Sequence, residues 1–376
     1  MKRPLDNIRV EAVGIGELAA PFASLAITND IMSPSEAAFE LGNDGAYSEI
    51  QKHIAHGTQY KVWVNDLLRL TGRVEALDIP IDAAGGSVVR FTVRTKLADA
   101  AFSSAPEGVK VKDTSIKKFI LAVYKPLGYT EADFVFDQYV SRDLITGKST
   151  GGKGSPVSVD LEPITVKDAK VQPPETIYDA ADRHLRRHGL IHWDSPDGKI
   201  VVGGINDTQD AIYKLLCNRG ANRNLNNVMS LTRVMDWSDI PSTLSVFGVG
   251  ASRGTSRARV GYQTTDADVS AAGFYRPVKI IAEGLRTSAL AKNAALREQS
   301  ARSKDKDSWQ IELDQWSWWD GSTNTPWGVD CVVEIESDIA GGNLGKYYVH
   351  RVMLSRTPSD GDVTNITALK AGVWRL

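Results

Sequence analysis

Four groups of residues have types and spacings that could do chemistry. The first is Gly147-Lys148-Ser149-Thr150-Gly151-Gly152-Lys153-Gly154, which nearly spells a phosphate-binding P-loop. That motif places Ser or Thr directly after its final lysine to hold magnesium, between a preceding strand and a following helix. Here Gly154 occupies that position, and Pro156 with the Val157-Ser158-Val159 run opposes an immediate helix, so the stretch reads as a flexible loop. The second group is His184, His188 and His192, at i, i+4 and i+8. One continuous helix would align them for a metal, but Gly189 breaks the helix and His192 falls on a strand. The pair His184–His188 lacks the glutamate of the zinc-protease motif, and Arg183, Arg186 and Arg187 would repel a cation, so solvated or helix-end histidines are expected. The third group, Trp309, Trp316, Trp318, Trp319 and Trp327, could stack on sugar rings as in a carbohydrate-binding tail or cell-wall protein. The alternative uses are a β-barrel core and a protein interface, where tryptophan is over-represented, and core plus interface is the expectation. The fourth, Cys217 and Cys331, is too sparse for a disulfide framework or a four-ligand zinc site, and reads as two buried thiols.

No Gly-x-Ser-x-Gly elbow and no cysteine with a recognisable histidine partner motif is present. Asp194 and Asp197 belong to a turn whose geometry accounts for them. Catalytic, cofactor-binding and metal residues are therefore assigned as none, and the chain reads as a non-enzyme. With 44 Lys plus Arg against 46 Asp plus Glu, the net charge of −2 gives no general attraction for nucleic acid or anionic lipid. No run approaches the ~18 apolar residues of a membrane span. The opening Met1–Gly14 stretch lacks the apolar core of a signal peptide, so synthesis and folding in a cytoplasm are expected.

The elements that must position these residues follow from periodicity. The first ~105 residues alternate apolar and polar, as half-buried strands do. Ile8, Val10 and Ala12 share one face, and Phe39 and Leu41 fall in another strand. Tyr60, Val62 and Val64 lead through Asn65-Asp66 into Leu68, Leu70, Gly72 and Val74, and Val89, Phe91 and Val93 repeat the pattern. Then the period changes: Ile116, Phe119, Ile120 and Val123 form a helical stripe, with Asp113 or Thr114 as cap and Pro126 and Gly128 as stop. Residues 141–174 are rich in Gly and Pro and read as a long arm. A second helix is expected to open at Pro174-Glu175, to bury Ile177, Ala181 and Leu185, and to end at Gly189. A hairpin follows, Leu190–Asp194 and Lys199–Val202 about Ser195-Pro196-Asp197-Gly198. Beyond residue 206, strands are expected over Val228–Trp237, Thr243–Val249, Trp309–Leu313, Val329–Ile335 and Tyr347–Ser355, with one helix from Ala289 to Arg302. The fold class is α+β, β-rich: two antiparallel β-barrel domains, 1–105 and 206–376, flanking a small α/β domain, 106–205, of two helices and a hairpin.

The stretch Pro174-Glu175-Thr176-Ile177-Tyr178-Asp179-Ala180-Ala181-Asp182-Arg183, with Gly189-Leu190-Ile191 and Asp197-Gly198-Lys199-Ile200-Val201, resembles the helix-plus-hairpin signature of baseplate hub proteins of Mu-like contractile phages. This late-control tail protein family is related to the hub part of type VI secretion spikes. Tyr60–Asn65 with Thr71-Gly72-Arg73-Val74 is similar to the family's first barrel. Asn227-Val228, Phe247-Gly248 and the Ala-rich helix before Trp309 fit its second. One departure is local: Val93-Arg94-Thr95-Lys96-Leu97-Ala98-Asp99 stands where the family often carries Gly-Arg and an acidic Asp-Leu stretch.

The resemblance implies a homotrimeric ring of tube-like barrels, two per subunit, that adapts a sixfold tail tube to a threefold central spike. It also implies contact with other baseplate proteins, a location in the virion tail after assembly in the host cytoplasm, and genomic DNA only in transit. The spike would be a separate protein, and no cofactor is implied.

Overall fold

The computed structural model describes residues 6–18, 22–42, 54–79, 81–82, 86–111, 114–136, 165–166, 169–172, 174–186, 190–205, 207, 209–220, 225–249, 259–281, 285, 288–319 and 324–371. Strands dominate. Fourteen of them join one mostly antiparallel sheet that takes strands from both ends of the sequence.

The N-terminal contribution follows the alternation closely. Ile8–Ala12 pairs with Gln59–Val64, which turns through Asn65 and Asp66 into Leu67–Asp78. Both turn residues have positive φ, 50° and 62°, the left-handed pair that matches the twist of a two-residue hairpin. Tyr60, Val62, Val64, Leu70 and Val74 point into one core. Gly72 is dictated by a close approach: a Cβ there would lie 2.2 Å from the Arg94 carbonyl oxygen. Gly86–Arg94, Glu36–Gly42 and Phe22–Asp30 continue the sheet.

At Phe22–Asp30 the sheet passes to the far end of the chain. That strand pairs antiparallel with Gly342–Thr357, from Asp30 opposite Arg351 to Leu25 opposite Arg356. Gly361–Lys370, Ser308–Leu313 and Ser230–Val234 follow in order, and Cys331–Ser337 with Tyr213–Leu216 branches from Gly342–Thr357. The core is correspondingly shared. Leu25, Phe39 and Phe91 belong to the same buried cluster as Trp309, Val352 and Ile366.

A second cluster gathers three helices, α1 (Lys96–Phe102), α2 (Ile116–Tyr124) and α3 (Ile177–Arg186), around a three-stranded sheet. The hairpin is present as Ile191–Asp194 against Ile200–Gly203, and Phe134–Phe136 adds a parallel third strand. The start of α2 differs from expectation: Ser115, one residue later than Thr114, accepts from the Lys118 N–H (3.3 Å). Pro126 and Gly128 close it through a 3₁₀ turn, with Gly128 at φ 77°. The start of α3 also moves. Thr176 accepts from the Asp179 N–H (3.0 Å), while Glu175 stays outside the helix, bound to Arg183 Nε (2.5 Å) and the Gln172 N–H (2.7 Å). A short hydroxyl serves a helix start better than a glutamate here, because it reaches the third residue's N–H without bending back. Its buried face holds Ile177, Ala181 and Leu185 as expected, with Ala180 and His184 added. Of the glycine-rich arm, the described tail forms two short ladders, Thr165–Val166 with Thr114–Ser115 and Ala169–Lys170 with Lys110–Val111.

The hairpin's Ile191 and Trp193 pack on the large sheet against Ile31, Val332, Tyr348 and Leu369. A separate three-stranded sheet, Arg259–Thr265, Thr243–Val249 and Pro277–Ile281, carries a short helix α4 (Ala267–Ala271) and packs Leu244 and Val246 beneath helix α5 (Ser288–Ser303). No helix among the described residues is long and apolar enough to cross a membrane.

Candidate assembly surface

Trp309, Trp316, Trp318 and Trp327 are committed to packing. Trp309, Trp316 and Trp327 are buried in the shared core. Trp316 donates its Nε1 proton to the Ser355 carbonyl (2.9 Å) and lies under the Arg356 guanidinium at 4.4 Å. Trp327 donates to the Gln315 carbonyl (3.1 Å) and meets Tyr213 edge-on at 4.7 Å and Trp318 at 6.0 Å. Sugar stacking needs an exposed ring face, and these three offer none, so the carbohydrate reading is not favoured. The Trp319 side chain lies outside what the structure describes.

Two polar groups that sequence reasoning missed hold this cluster to the N-terminal strands. Arg69 is the extra residue where the pairing shifts from Val62–Leu70 to Trp63–Leu68. Its Nη2 donates to the Trp327 carbonyl (2.5 Å) and to Asn29 Oδ1 (3.2 Å), and Asn29 returns a bond to the Arg69 carbonyl (3.1 Å). Burial lowers its pKa, while Tyr213 and Cys331 oppose that shift. The second group is Asp6, whose carboxylate accepts from the Trp316 N–H (2.9 Å), Ser317 Oγ (2.8 Å) and Asn65 Nδ2 (2.6 Å). The bulge at Arg69 leaves no trace in the alternation, and Asp6 sits in a stretch without periodicity.

His184 and His192 are buried, not solvated. His184 is buried on α3, 4.4 Å edge-on from Phe119. His192 is buried on the hairpin, 4.3 Å from the Tyr178 ring. Burial first, and then Arg186, pushes the His192 pKa down to about 3, so the ring is neutral. His184 thus takes the helix-end place expected of it, but as an aromatic filler on an apolar face rather than in solvent. His188 lies outside the described residues, and these contain no group of three or more metal-ligating side chains.

The glycine loop 147–154 also lies outside the described residues. Both cysteines are free thiols. Cys331 is buried as expected, donates to the Gly328 carbonyl (3.2 Å), and has its pKa pushed up to about 12 by burial. Cys217 is only half-buried, a correction to the paired-burial expectation.

Surfaces suited to assembly lie at the margins. Ser230–Val234 ends the large sheet with one row of backbone groups unpaired within it, flanked by exposed Met229 and Met235. On the three-stranded sheet, Phe247 and Ile281 are register partners on the face away from α5, and Ile281 is 83 % exposed. Exposed apolar groups beside an open strand edge are the usual composition of a protein-docking margin.

In this β-rich chain the distinctive aromatic and charged residues described above serve packing. No family model matches the chain. Over 201 residues it is 26 % identical to the baseplate hub protein gp44 of Escherichia phage Mu, covering 51 % of this chain and 49 % of that protein. The match thus spans about half the length of that curated relative. A tail protein from Neisseria meningitidis MC58 superposes with a TM-score of 0.77 at 15 % identity, over 99 % of this chain and 98 % of that one. The 43 kDa tail protein of prophage MuSo2 from Shewanella oneidensis gives 0.73 at 16 %, over 98 % and 99 %. The chain shares its fold with these tail proteins and resembles the Mu baseplate hub protein in sequence over half its length. The resemblance read from its helix-plus-hairpin signature holds.

Proposed function

We propose that this protein is a structural, non-enzymatic baseplate hub subunit of a contractile phage tail, located in the virion and assembled in the host cytoplasm. Three copies form a ring between a sixfold tail tube and a threefold central spike, with other baseplate proteins around it and DNA passing through its centre. Residues 1–105 and 206–376 supply two tube-like β units, and residues 106–205 form the linker domain.

The observation that carries this reading is the pairing of Phe22–Asp30 with Gly342–Thr357. It sets the N-terminal and C-terminal strands side by side in one sheet. Two β units joined edge to edge in each of three subunits make six sectors around a threefold axis, which is the symmetry a tube-to-spike adapter needs. Light scattering on a size-exclusion column tests it: a trimer of the 41.0 kDa chain is expected, ~123 kDa. A monomer at every concentration, with tube and spike proteins present as well as absent, would overturn the proposal.

A further inference from the structure

A cleft of about 310 Å³ lies between the large sheet and the unit of α4, α5 and their three-stranded sheet, with walls from both. Arg233 and Met235 line it from the margin strand Ser230–Val234 and the residues just beyond, and Lys370 lines it from the end of Gly361–Lys370. Asp266 and Asp268 line it from the start of α4, and Lys306 and Asp307 from the turn after α5. Charge already ties these walls together. Lys306 Nζ lies 2.9 Å from Asp266 and 2.7 Å from Asp268, over the Trp237 ring at 5.2 Å. Arg233 donates twice to the Asp307 carboxylate, at 2.7 and 2.9 Å. The ties leave apolar surface inside a charged rim. Met235 is 62 % exposed, Trp237 is half-buried, and the Asp268 side chain is still 70 % exposed beside its lysine.

The chain supplies a segment of matching chemistry at this rim. The Lys370 N–H donates to the Asp307 carbonyl (3.3 Å), so Gly361–Lys370 ends against the cleft wall. Residues 372–376 follow, outside the described residues, and read Gly-Val-Trp-Arg-Leu. Trp374 is four residues beyond Lys370, so it stays within ~14 Å of it even when fully extended. A tryptophan carries one of the largest apolar surfaces of any side chain, and a thioether and an ammonium group are favourable neighbours for its ring. Met235 and Lys306 offer both. Arg375 brings a guanidinium that a carboxylate as exposed as Asp268 can accept alongside Lys306. A tether of a few residues gives this segment an effective concentration of about millimolar, an advantage that a separate peptide lacks.

We infer that residues 372–376 fill the cleft of their own chain, with Trp374 against Met235 and Trp237 and Arg375 at Asp268. Seated there, the segment joins the margin strand, α4 and the turn after α5, and latches the three-stranded sheet to the large one. The latch lies within one copy and is independent of the hub-ring reading above.

The test reads thiol access in the full chain carrying Met235→Cys with Cys217→Ser. Its rate of labelling by a maleimide is compared with the rates of the same chain bearing Trp374→Ala, Trp374→Phe or a stop after Ala371. The intact segment is expected to slow labelling at least about fivefold relative to Trp374→Ala and the shortened chain, because access as well as thiolate content sets cysteine reactivity. Trp374→Phe should keep most of that protection. Leu67→Cys, exposed at a hairpin turn of the large sheet, is the reference and should label at one rate in every form. Equal rates at position 235 with and without the segment overturn the inference. Protection that disappears on dilution also overturns it, since a neighbouring copy's segment would then be the occupant. So does equal acceleration at position 67, which would mean that losing the segment loosens the whole sheet.

Discussion

Asp194 is a carboxylate in a place that opposes its charge. It sits on the hairpin strand where the helical layer meets the large sheet, accepting the Ser35 N–H at 2.5 Å through Oδ2. Burial raises its pKa from 3.8 to about 6, against the opposing pull of the Ser35 N–H and of the Thr95 and Ser35 hydroxyls. A shift of about two units corresponds to roughly 3 kcal/mol. The sign follows from the raised folded value: the folded chain binds this proton more tightly than the unfolded chain. The penalty is absent below pH ~4, grows as pH rises toward ~6, and is complete above it. Asp194→Asn keeps an acceptor for the Ser35 N–H and cannot ionise. The variant should therefore be more stable than the parent by about 1–3 kcal/mol at pH 7.5 and about equal at pH 4. Thermal unfolding of both proteins across that range measures the difference, at ~2 °C or less per kcal/mol for a chain of this size. A variant destabilised equally at both pH values would refute the argument, since it would mean the carboxylate is held in its charged form by a partner.

Two further outcomes follow from particular contacts. Gly72→Ala would drive a methyl group into the Arg94 carbonyl; a loss of at least ~3 kcal/mol or failure to fold is expected, read from soluble yield and melting temperature. Native thiol titration at pH 8 should count Cys217 and spare Cys331, whose pKa is pushed up to about 12, with both titrating in denaturant; rapid modification of both in the native protein would contradict the burial of Cys331.

Much of the local structure was legible in the residues because it is carried by period. Tyr60–Val64, the Asn65-Asp66 turn and Trp309–Leu313 alternate cleanly, and their buried faces are the ones the alternation names. The stripe of α2 was equally plain, and only its cap moved by a residue. What was not legible depends on distant partners. Nothing in Phe22–Asp30 announces Gly342–Thr357 as its neighbour, nor does Phe134–Phe136 announce a parallel place beside Ile200–Gly203. α1 was hidden because Lys96–Phe102 follows a strand run without a loop. Arg69 and Asp6 gain their roles only when Trp327 and Trp316 arrive from the other end of the chain. His184 lies at a helix end and His192 on a strand, as expected, but their burial was not legible, because a polar residue type was read without knowing which apolar face would enclose it.

The pairing of Phe22–Asp30 with Gly342–Thr357 also has a consequence for how the chain is made. Asp30 and Arg351 are roughly 320 positions apart, a separation that makes their union slow and late. At ribosomal speeds of about 5–20 residues per second, the first strands wait tens of seconds for their neighbour. Throughout that interval the Phe22–Asp30 edge, with Leu25 and Ile27 beside it, stands open as a template for any other nascent copy. Truncation before Gly342 would make that interval permanent, so shortened chains should accumulate as strand-paired aggregates rather than as soluble halves.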